Sequence, residues 1–213
     1  HLTCATSTMD QMRERLEALR AEGIENILAL RGDIPEGMVF PGPRQYRYAS
    51  ELVAQLKAFG GFSVGAACYP EGHPESPSKD KDLDFLRAKV DAGAEFLTTQ
   101  MFFDNNILYN FLYRALQKGI SVPIAAGIMP VISAGQIKRI CALSGASLPP
   151  RFVAIIDRFA QSPKAMRQAG IAFATEQIID LIANGVSNIH IYTMNRPQIA
   201  AAIFSNLSDI LEQ

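Results

Sequence analysis

A repeated unit of helix, glycine and strand constrains what this chain can fold into more than any other feature. Four helical stretches end in a small or polar residue, a glycine and an apolar residue, at Glu22-Gly23-Ile24, Ala92-Gly93-Ala94, Lys118-Gly119-Ile120 and Asn184-Gly185-Val186. Glycine at this position predicts a left-handed turn that ends the helix before a strand begins. The sequence therefore predicts that helices and strands alternate along the chain.

Six short runs of apolar and small residues predict the strands, at 1–4, 27–30, 63–68, 96–100, 124–128 and 189–192. Apolar residues at helical spacing predict a first helix that begins at residue 9, after a capping box of Thr8 and Gln11. The same spacing predicts helices at 49–59, 83–92, 108–118, 134–143, 151–160, 164–183 and 198–211. The strand runs are continuously apolar, which indicates a sheet covered on both faces, and strands joined by crossover helices are parallel.

The glycine-rich phosphate loop of a doubly wound dinucleotide-binding sheet follows none of the predicted strands. We therefore predict an α/β fold of the TIM-type (βα)8 barrel class. Such a barrel usually takes ~250 residues or more, whereas the 213 residues here contain six predicted units. We expect residues 1–213 to be a single catalytic barrel domain that is truncated at its N-terminus, with strands 3 to 8 present and the first two βα units missing.

The composition excludes several classes of function. Lys+Arg (20) and Asp+Glu (21) nearly cancel, so no strong field favours nucleic acid or an anionic membrane. No apolar run approaches the roughly 18 residues that a membrane span needs. Three cysteines without a C-x-x-C pair, and three histidines without ligand spacing, predict a cytoplasmic protein with no catalytic metal. We expect a soluble protein that binds small molecules.

Polar residues at the ends of the predicted strands are the candidates for function, because parallel barrels bind their ligands there. Arg31-Gly32-Asp33 follows the second strand and places a cation and a carboxylate on either side of a residue without a side chain. A flat ligand fits between two such charges, and a salt bridge that closes the loop is the alternative. Tyr69 and His73 follow the third strand, where they either stack on a planar ligand or simply finish the strand.

Eight motifs in order resemble the methylenetetrahydrofolate reductase family over essentially the whole chain. They are His1-Leu2-Thr3-Cys4, Leu30-Arg31-Gly32-Asp33, Tyr48-Ala49-Ser50, Tyr69-Pro70-Glu71-Gly72-His73-Pro74, Lys89-Val90-Asp91-Ala92-Gly93-Ala94, Gln100-Met101-Phe102-Phe103-Asp104, Gly127-Ile128-Met129-Pro130 and Tyr192-Thr193-Met194-Asn195-Arg196. Each motif alone is weak, whereas eight in the same order are highly specific.

The resemblance implies a flavoprotein oxidoreductase of one-carbon metabolism and methionine supply. It implies that FAD takes a hydride from NADH or NADPH and passes it to 5,10-methylenetetrahydrofolate in a ping-pong scheme, giving 5-methyltetrahydrofolate. By the same resemblance, the residues that hold FAD are His1, Leu2, Thr3, Arg31, Gly32, Asp33, Tyr48, Ala49, Tyr69, His73, Asp82 and Lys89. Those that hold folate are Asp33, Gln100, Gln136 and Arg196. The shared Asp33 is implied to act electrostatically in catalysis.

Two departures from the family pattern accompany the resemblance. The general acid of the family, a glutamate on the first barrel strand, is expected upstream of His1. Ile140 stands where some relatives place an aromatic residue that packs on the substrates. Two other functions remain open from the sequence: a non-catalytic partial barrel that binds flavin and folate, and another pterin-using barrel such as a corrinoid methyltransferase. Assembly into a homo-oligomer is a further alternative that the sequence leaves open.

Overall fold

The computed structural model describes residues 1–212, with the side chains of all of these residues except Lys138 and Leu143. Strands and helices alternate, apart from three consecutive helices before the last strand. The elements are β1 (Leu2–Thr3), α1 (Met9–Ala21), β2 (Asn26–Leu30), α2 (Ala49–Phe59), β3 (Ser63–Cys68), α3 (Lys79–Asp91), β4 (Phe96–Thr99), α4 (Asn105–Gln117), β5 (Ile124–Ile128), α5 (Ala134–Ser144), α6 (Pro150–Phe159), α7 (Pro163–Ala183), β6 (Ile189–Ile191) and α8 (Pro197–Leu211). None of the helices described is long and apolar enough to cross a membrane.

The six strands form one parallel sheet in the order β1-β2-β3-β4-β5-β6. Each strand pairs with its neighbours in sequence, as Leu2 pairs with Ala29 and Ile27 with Val64. This sequential order differs from that of a doubly wound sheet, in which the order reverses at a switch point, and it is the order of TIM-type barrels. The expected α/β fold with a parallel sheet is therefore confirmed. All six strands end at the same edge of the sheet.

The glycines that end the helices adopt the predicted left-handed backbone, with φ of 73° at Gly23 and 75° at Gly119. After α1, the Ile24 N–H donates to the Leu19 carbonyl oxygen and the Gly23 N–H donates to that of Arg20, each across 3.0 Å. This pair of bonds closes the helix and directs the chain into β2. The same two bonds recur after α3, α4 and α7, so the predicted helix-glycine-strand unit is confirmed.

Two helices begin earlier than their apolar spacing predicts: α3 begins four residues before position 83 and α4 three residues before position 108. The reason is side-chain capping, because Ser78 and Asp104 accept hydrogen bonds from backbone N–H groups of the first turn. The first turn of α3 is polar and α4 begins with the polar Asn105 and Asn106, so these residues add nothing to the apolar pattern. The capping box of Thr8 and Gln11 at the start of α1 is confirmed.

Two hydrophobic clusters hold the helices in place. The larger one surrounds the sheet and includes the fully buried Val64, Leu97 and Ile128. The smaller one is centred on Phe152 of α6, whose ring stacks on Phe173 of α7 with 4.0 Å between centroids. This second cluster packs α5 and α6 beside the carboxyl ends of β4 and β5.

Helix α7 passes very close to the chain that leaves β5. A Cβ atom at Gly170 would overlap the backbone carbonyl group of Val131. Only glycine permits this approach, because every other residue carries that atom. The contact fixes the position of the loop after β5, at the edge where all the strands end.

We predict that Gly170→Ala lowers the free energy of unfolding by roughly 1–3 kcal/mol, because the added methyl group displaces the loop backbone. Gly135→Ala is the matched control, since Gly135 also lies in a helix but a Cβ atom there meets nothing within 4 Å. Chemical denaturation followed by circular dichroism measures both variants. A Gly170→Ala protein as stable as the wild type would contradict this account of the contact.

Candidate functional site

The site is built from the end of β2, where the backbone of Arg31 is tied to the neighbouring strand. The Arg31 carbonyl oxygen accepts hydrogen bonds from the N–H groups of Cys4 (3.1 Å) and Ala5 (2.8 Å). Gly32 follows with φ of 83°, and a Cβ atom there would lie 2.9 Å from the Cβ of Thr3. The loop after β2 is therefore held closely against the loop after β1, and the glycine is required for that approach.

The guanidinium of Arg31 binds the carboxylate of Glu75, 44 residues along the chain, through two parallel hydrogen bonds of 2.6 and 2.7 Å. These bonds lower the pKa of Glu75 and raise that of Arg31, because each stabilises the charged form. The salt bridge that was the alternative to ligand binding is present, and it joins Arg31 to a carboxylate from the loop after β3. Sequence reasoning missed Glu75, whose only signal was its place two residues after His73.

Tyr69 and His73 pack together in the loop after β3, with ring centroids 4.6 Å apart and an edge-to-face geometry. The Nδ1 atom of His73 accepts the backbone N–H of Glu75 at 3.1 Å. An accepting Nδ1 means a neutral ring with its proton on Nε2. Burial lowers the pKa of His73 and raises the pKa of Tyr69, so burial favours the neutral form of both side chains.

Helix α3 contributes Asp82 and Lys89 next to this loop. Asp82 accepts a hydrogen bond of 2.7 Å from the hydroxyl of Ser76. The amine of Lys89 donates to the carbonyl oxygen of Ala67 across 2.8 Å, which ties α3 to β3. Burial lowers the pKa of Lys89. In this structure Lys89 therefore holds β3, and Asp82 holds the loop that follows it. Lys89 retains two further N–H donors.

Gln100 follows β4 and lines a small cleft with Tyr69 and Met101. Its Oε1 atom accepts the Met101 N–H at 3.0 Å, which leaves the amide NH2 group as a donor. The other wall of the cleft belongs to the loop after α5. That loop is fastened by Glu71, whose carboxylate accepts the N–H and the hydroxyl of Ser147 at 2.9 and 2.6 Å.

The other predicted residues lie around this centre. Leu2 and Thr3 form β1, and His1 precedes them. Tyr48 is the N-cap residue of α2, which begins at Ala49, and Tyr48 is 49% exposed. Gln136 lines a second cleft, beside Ile140 and the residues after β5. Asp33 is exposed after β2, and Arg196 is exposed at the start of α8. Gln136 and Arg196 thus lie beyond the later strands and make no contact with the Arg31–Glu75 pair.

The backbone before Arg196 is unusual, because two consecutive residues other than glycine adopt left-handed conformations. Met194 has φ of 50° and Asn195 of 61°. The Arg196 N–H donates to the Thr193 carbonyl oxygen at 3.0 Å, which closes the turn. The turn brings Arg196 to the N-terminus of α8. Residues other than glycine in this conformation cluster at functional sites.

No group of three or more metal-binding side chains occurs among the residues that the structure describes. The three cysteines are unbonded, and burial raises the pKa of Cys68 to about 12. The arrangement as a whole is that of an α/β protein whose candidate ligand site lies at the carboxyl ends of parallel strands, and enzymes of small-molecule metabolism commonly use this arrangement.

Comparisons with known proteins identify the family. The family model for methylenetetrahydrofolate reductase matches residues 1–208. The 5,10-methylenetetrahydrofolate reductase of Pectobacterium carotovorum subsp. carotovorum is 35% identical over 207 residues, which cover 97% of this chain and 68% of that protein. The enzyme of the same name from Escherichia coli (strain K12) is 36% identical, with 97% and 69% covered. Methylenetetrahydrofolate reductase (NADH) 1 of Zea mays is 34% identical, with 100% and 38% covered.

The chain therefore belongs to the methylenetetrahydrofolate reductase family and is an oxidoreductase, as the motifs predicted. It spans about two thirds of the bacterial relatives and well under half of the maize relative. A solved structure agrees on the fold: an uncharacterized protein from Clostridium thermocellum, described as binding two copies of 5-methyl-5,6,7,8-tetrahydrofolic acid, superposes with a TM-score of 0.62 at 15% identity. That alignment covers 95% of this chain and 68% of the other, and it concerns the fold alone.

We predict that the ring of His73 titrates below 6.5, the ordinary pKa of histidine, because burial disfavours its charged form. The backbone amide of Glu75 should shift with the same midpoint, since its N–H donates to the titrating ring. A histidine whose pKa is lowered by folding reduces stability as the pH falls through 6.5, so His73→Asn should lose less stability on acidification. Titration by NMR tests the midpoint, and a midpoint at or above 6.5 would contradict the prediction.

Proposed function

We propose that this protein reduces 5,10-methylenetetrahydrofolate to 5-methyltetrahydrofolate, with FAD as its cofactor and NADH or NADPH as the hydride source, in a ping-pong order. The observation that carries the proposal is the convergence of Arg31, Tyr69 and His73 at two adjacent strand ends in a chain of this family. Relatives from Zea mays and Caenorhabditis elegans are named for NADH and NADPH respectively, so both nicotinamides are candidates. The unbonded cysteines agree with a cytoplasmic enzyme.

The described residues fit FAD in charge and in their aromatic side chains. FAD carries an anionic diphosphate and planar aromatic rings. Arg31 has five N–H donors, and three remain after its two bonds to Glu75. The half-exposed ring of Tyr48 offers a face for stacking. When bound, FAD would accept a hydride from the nicotinamide and deliver it to the folate.

The proposed division of the site follows the strand order. The FAD contacts are assigned to the first three strand ends and their helices: His1, Leu2, Thr3, Arg31, Gly32, Asp33, Tyr48, Ala49, Tyr69, His73, Asp82 and Lys89. The folate contacts are assigned to Asp33 and to the later strand ends, with Gln100, Gln136 and Arg196. Gln100 has a free amide NH2 group beside the cleft, which suits an acceptor on a pterin edge, and Arg196 suits a carboxylate.

Asp33 is proposed to act through its charge, since it is assigned to both groups of contacts. A carboxylate at this place stabilises a cationic iminium of the folate, which is the form that accepts a hydride. The side chain is exposed and follows Gly32, so a ligand can approach it closely.

We also propose that the six strands are part of a single eight-stranded barrel domain, with two further strands between β6 and β1. The sequential parallel order supports this, because a sheet wound in one direction closes on itself. In the described residues, β1 and β6 each pair with a strand on one side only. Two more βα units would give both edges a partner.

Flavin spectroscopy tests the proposed activity. The purified protein at its natural length should carry bound FAD and be yellow. Anaerobic NADH or NADPH should bleach the flavin absorbance, and methylenetetrahydrofolate should then restore it. Failure of both steps would contradict the proposal. Binding of FAD and folate without either step would favour a non-catalytic binding protein, and methyl transfer to a corrinoid would favour the methyltransferase.

We predict that Asp33→Asn slows the folate half-reaction by roughly 10- to 1,000-fold, because the amide no longer stabilises the cationic folate. The reduction of the flavin by the nicotinamide should change much less. Glu36→Gln is the matched control, since Glu36 is an exposed carboxylate in the same loop. Stopped-flow absorbance at the flavin band measures both half-reactions. An unchanged folate half-reaction in Asp33→Asn would remove Asp33 from the mechanism.

A further inference from the structure

We propose that Glu75 is a positioning residue of the cofactor site, which holds the guanidinium of Arg31 in the orientation that binds FAD. This inference rests on the proposed function, because it concerns the FAD that we assign to Arg31. It adds a residue that none of the strand-end motifs singled out for ligand contact. The loop after β3 then acts on the cofactor through Arg31 as well as through its own Tyr69 and His73.

The contact between the two side chains is specific in its geometry. Both carboxylate oxygens of Glu75 bind, each to a different terminal nitrogen of Arg31, at 2.6 and 2.7 Å. Such a two-point contact fixes the plane of the guanidinium as well as its position. The Arg31 side chain is only 22% exposed. The remaining N–H donors of Arg31 are therefore held in a fixed direction on a mostly buried side chain.

Arg31 is held at its other end as well. Its carbonyl oxygen accepts hydrogen bonds from Cys4 and Ala5, which fix the backbone against the end of β1. An arginine side chain that is free in solution loses rotational freedom when it binds a ligand, and that loss weakens binding. An arginine fixed at both ends has already lost this freedom. Glu75 thus prepares Arg31 for an anionic ligand.

Glu75 can serve this purpose because its own loop is braced. Its backbone N–H donates to Nδ1 of His73 at 3.1 Å, and the ring of His73 packs on Tyr69. The next residue, Ser76, donates its hydroxyl to Asp82 of α3 at 2.7 Å. The carboxylate therefore projects from a rigid support. A glutamate on a loose loop would bind Arg31 without fixing it.

Competition between Glu75 and FAD for Arg31 is the alternative role, and it predicts the opposite change in FAD affinity when Glu75 is removed. A carboxylate that occupies two donors of Arg31 resembles an oxyanion of the ligand, and it would compete with FAD if the ligand needed the same donors. Removal of the carboxylate would then tighten FAD binding. Positioning predicts weaker binding, so the sign of the change separates the two roles.

The test compares Glu75→Ala with Glu176→Ala, because the chain contains a second pair of the same geometry. Arg151 binds Glu176 through two hydrogen bonds of 2.7 Å, and the Glu176 side chain is 56% exposed against 59% for Glu75. The Kd of FAD for each apoprotein is measured by quenching of flavin fluorescence. Glu75→Ala should raise this Kd about threefold to tenfold, and Glu176→Ala should leave it unchanged.

Three further measurements separate positioning from a general loss of structure. Thermal unfolding of the apoproteins should show only small changes for both variants, since the glutamate of each pair is more than half exposed. Glu75→Gln keeps one acceptor oxygen and should raise the Kd of FAD less than Glu75→Ala does. In NMR spectra of the apoprotein at low temperature, the Nη–H protons of Arg31 that bind Glu75 should exchange faster with water in Glu75→Ala, which tests the contact without any cofactor.

The outcomes are distinct. A wild-type protein that fails to bind FAD overturns the proposed function whatever the variants do. If the wild type binds FAD, an unchanged Kd in Glu75→Ala overturns the positioning role. A lower Kd also overturns it and shows that Glu75 competes with the ligand. A loss of FAD binding in Glu176→Ala of the same size would show an effect of stability alone, and would overturn the proposal too.

Discussion

Parallel pairing between consecutive strands is the constraint on which the rest of this structure depends. Each strand must be followed by a connection that returns to the start of the sheet, and helices supply that connection. Because every strand runs the same way, all the loops that follow strands gather at one edge. Residues that are far apart in sequence, such as Thr3, Arg31, Tyr69 and Gln100, come to neighbouring positions for this reason alone.

The loops at this edge are further joined to one another by side chains. Arg31 connects the ends of β1, β2 and β3, since its carbonyl oxygen binds the β1 end and its guanidinium binds Glu75 after β3. Glu71 connects the β3 loop to the segment after α5 through Ser147. Charged side chains are thus used at this edge to fix loops relative to one another. At the opposite edge, glycine ends each helix before a strand, and Arg20 and Arg87 donate to carbonyl oxygens of the neighbouring helix ends.

Much of the fold was predictable from the sequence because its signals are local. The bounds of β3 and β5 follow directly from apolar runs, and the left-handed glycines follow from residues within a single turn. The order of the strand-end motifs predicted the family. The predicted starts of α3 and α4 were wrong, because apolar spacing does not detect the side-chain caps that Ser78 and Asp104 provide.

The carboxylate partner of Arg31 was not predictable in the same way. Asp33 is two residues away and Glu75 is 44 residues away, and only the tertiary structure decides between them. Glu75 is the partner because the loop after β3 is held against the end of β2. Neither the spacing of charges nor the type of residue contains that information. The same holds for Gly170, whose contact with Val131 depends on how α7 crosses the chain after β5.

The central claim is that FAD binds at the carboxyl ends of the first three strands. Hydrogen–deuterium exchange with and without FAD tests it most directly, because it reports backbone protection along the whole chain. The account predicts that FAD slows the exchange of amides at 30–33 and 69–76, and leaves those at 60–63 and 93–96, at the opposite edge, unchanged. Protection at the opposite edge, or none at 30–33, would contradict it.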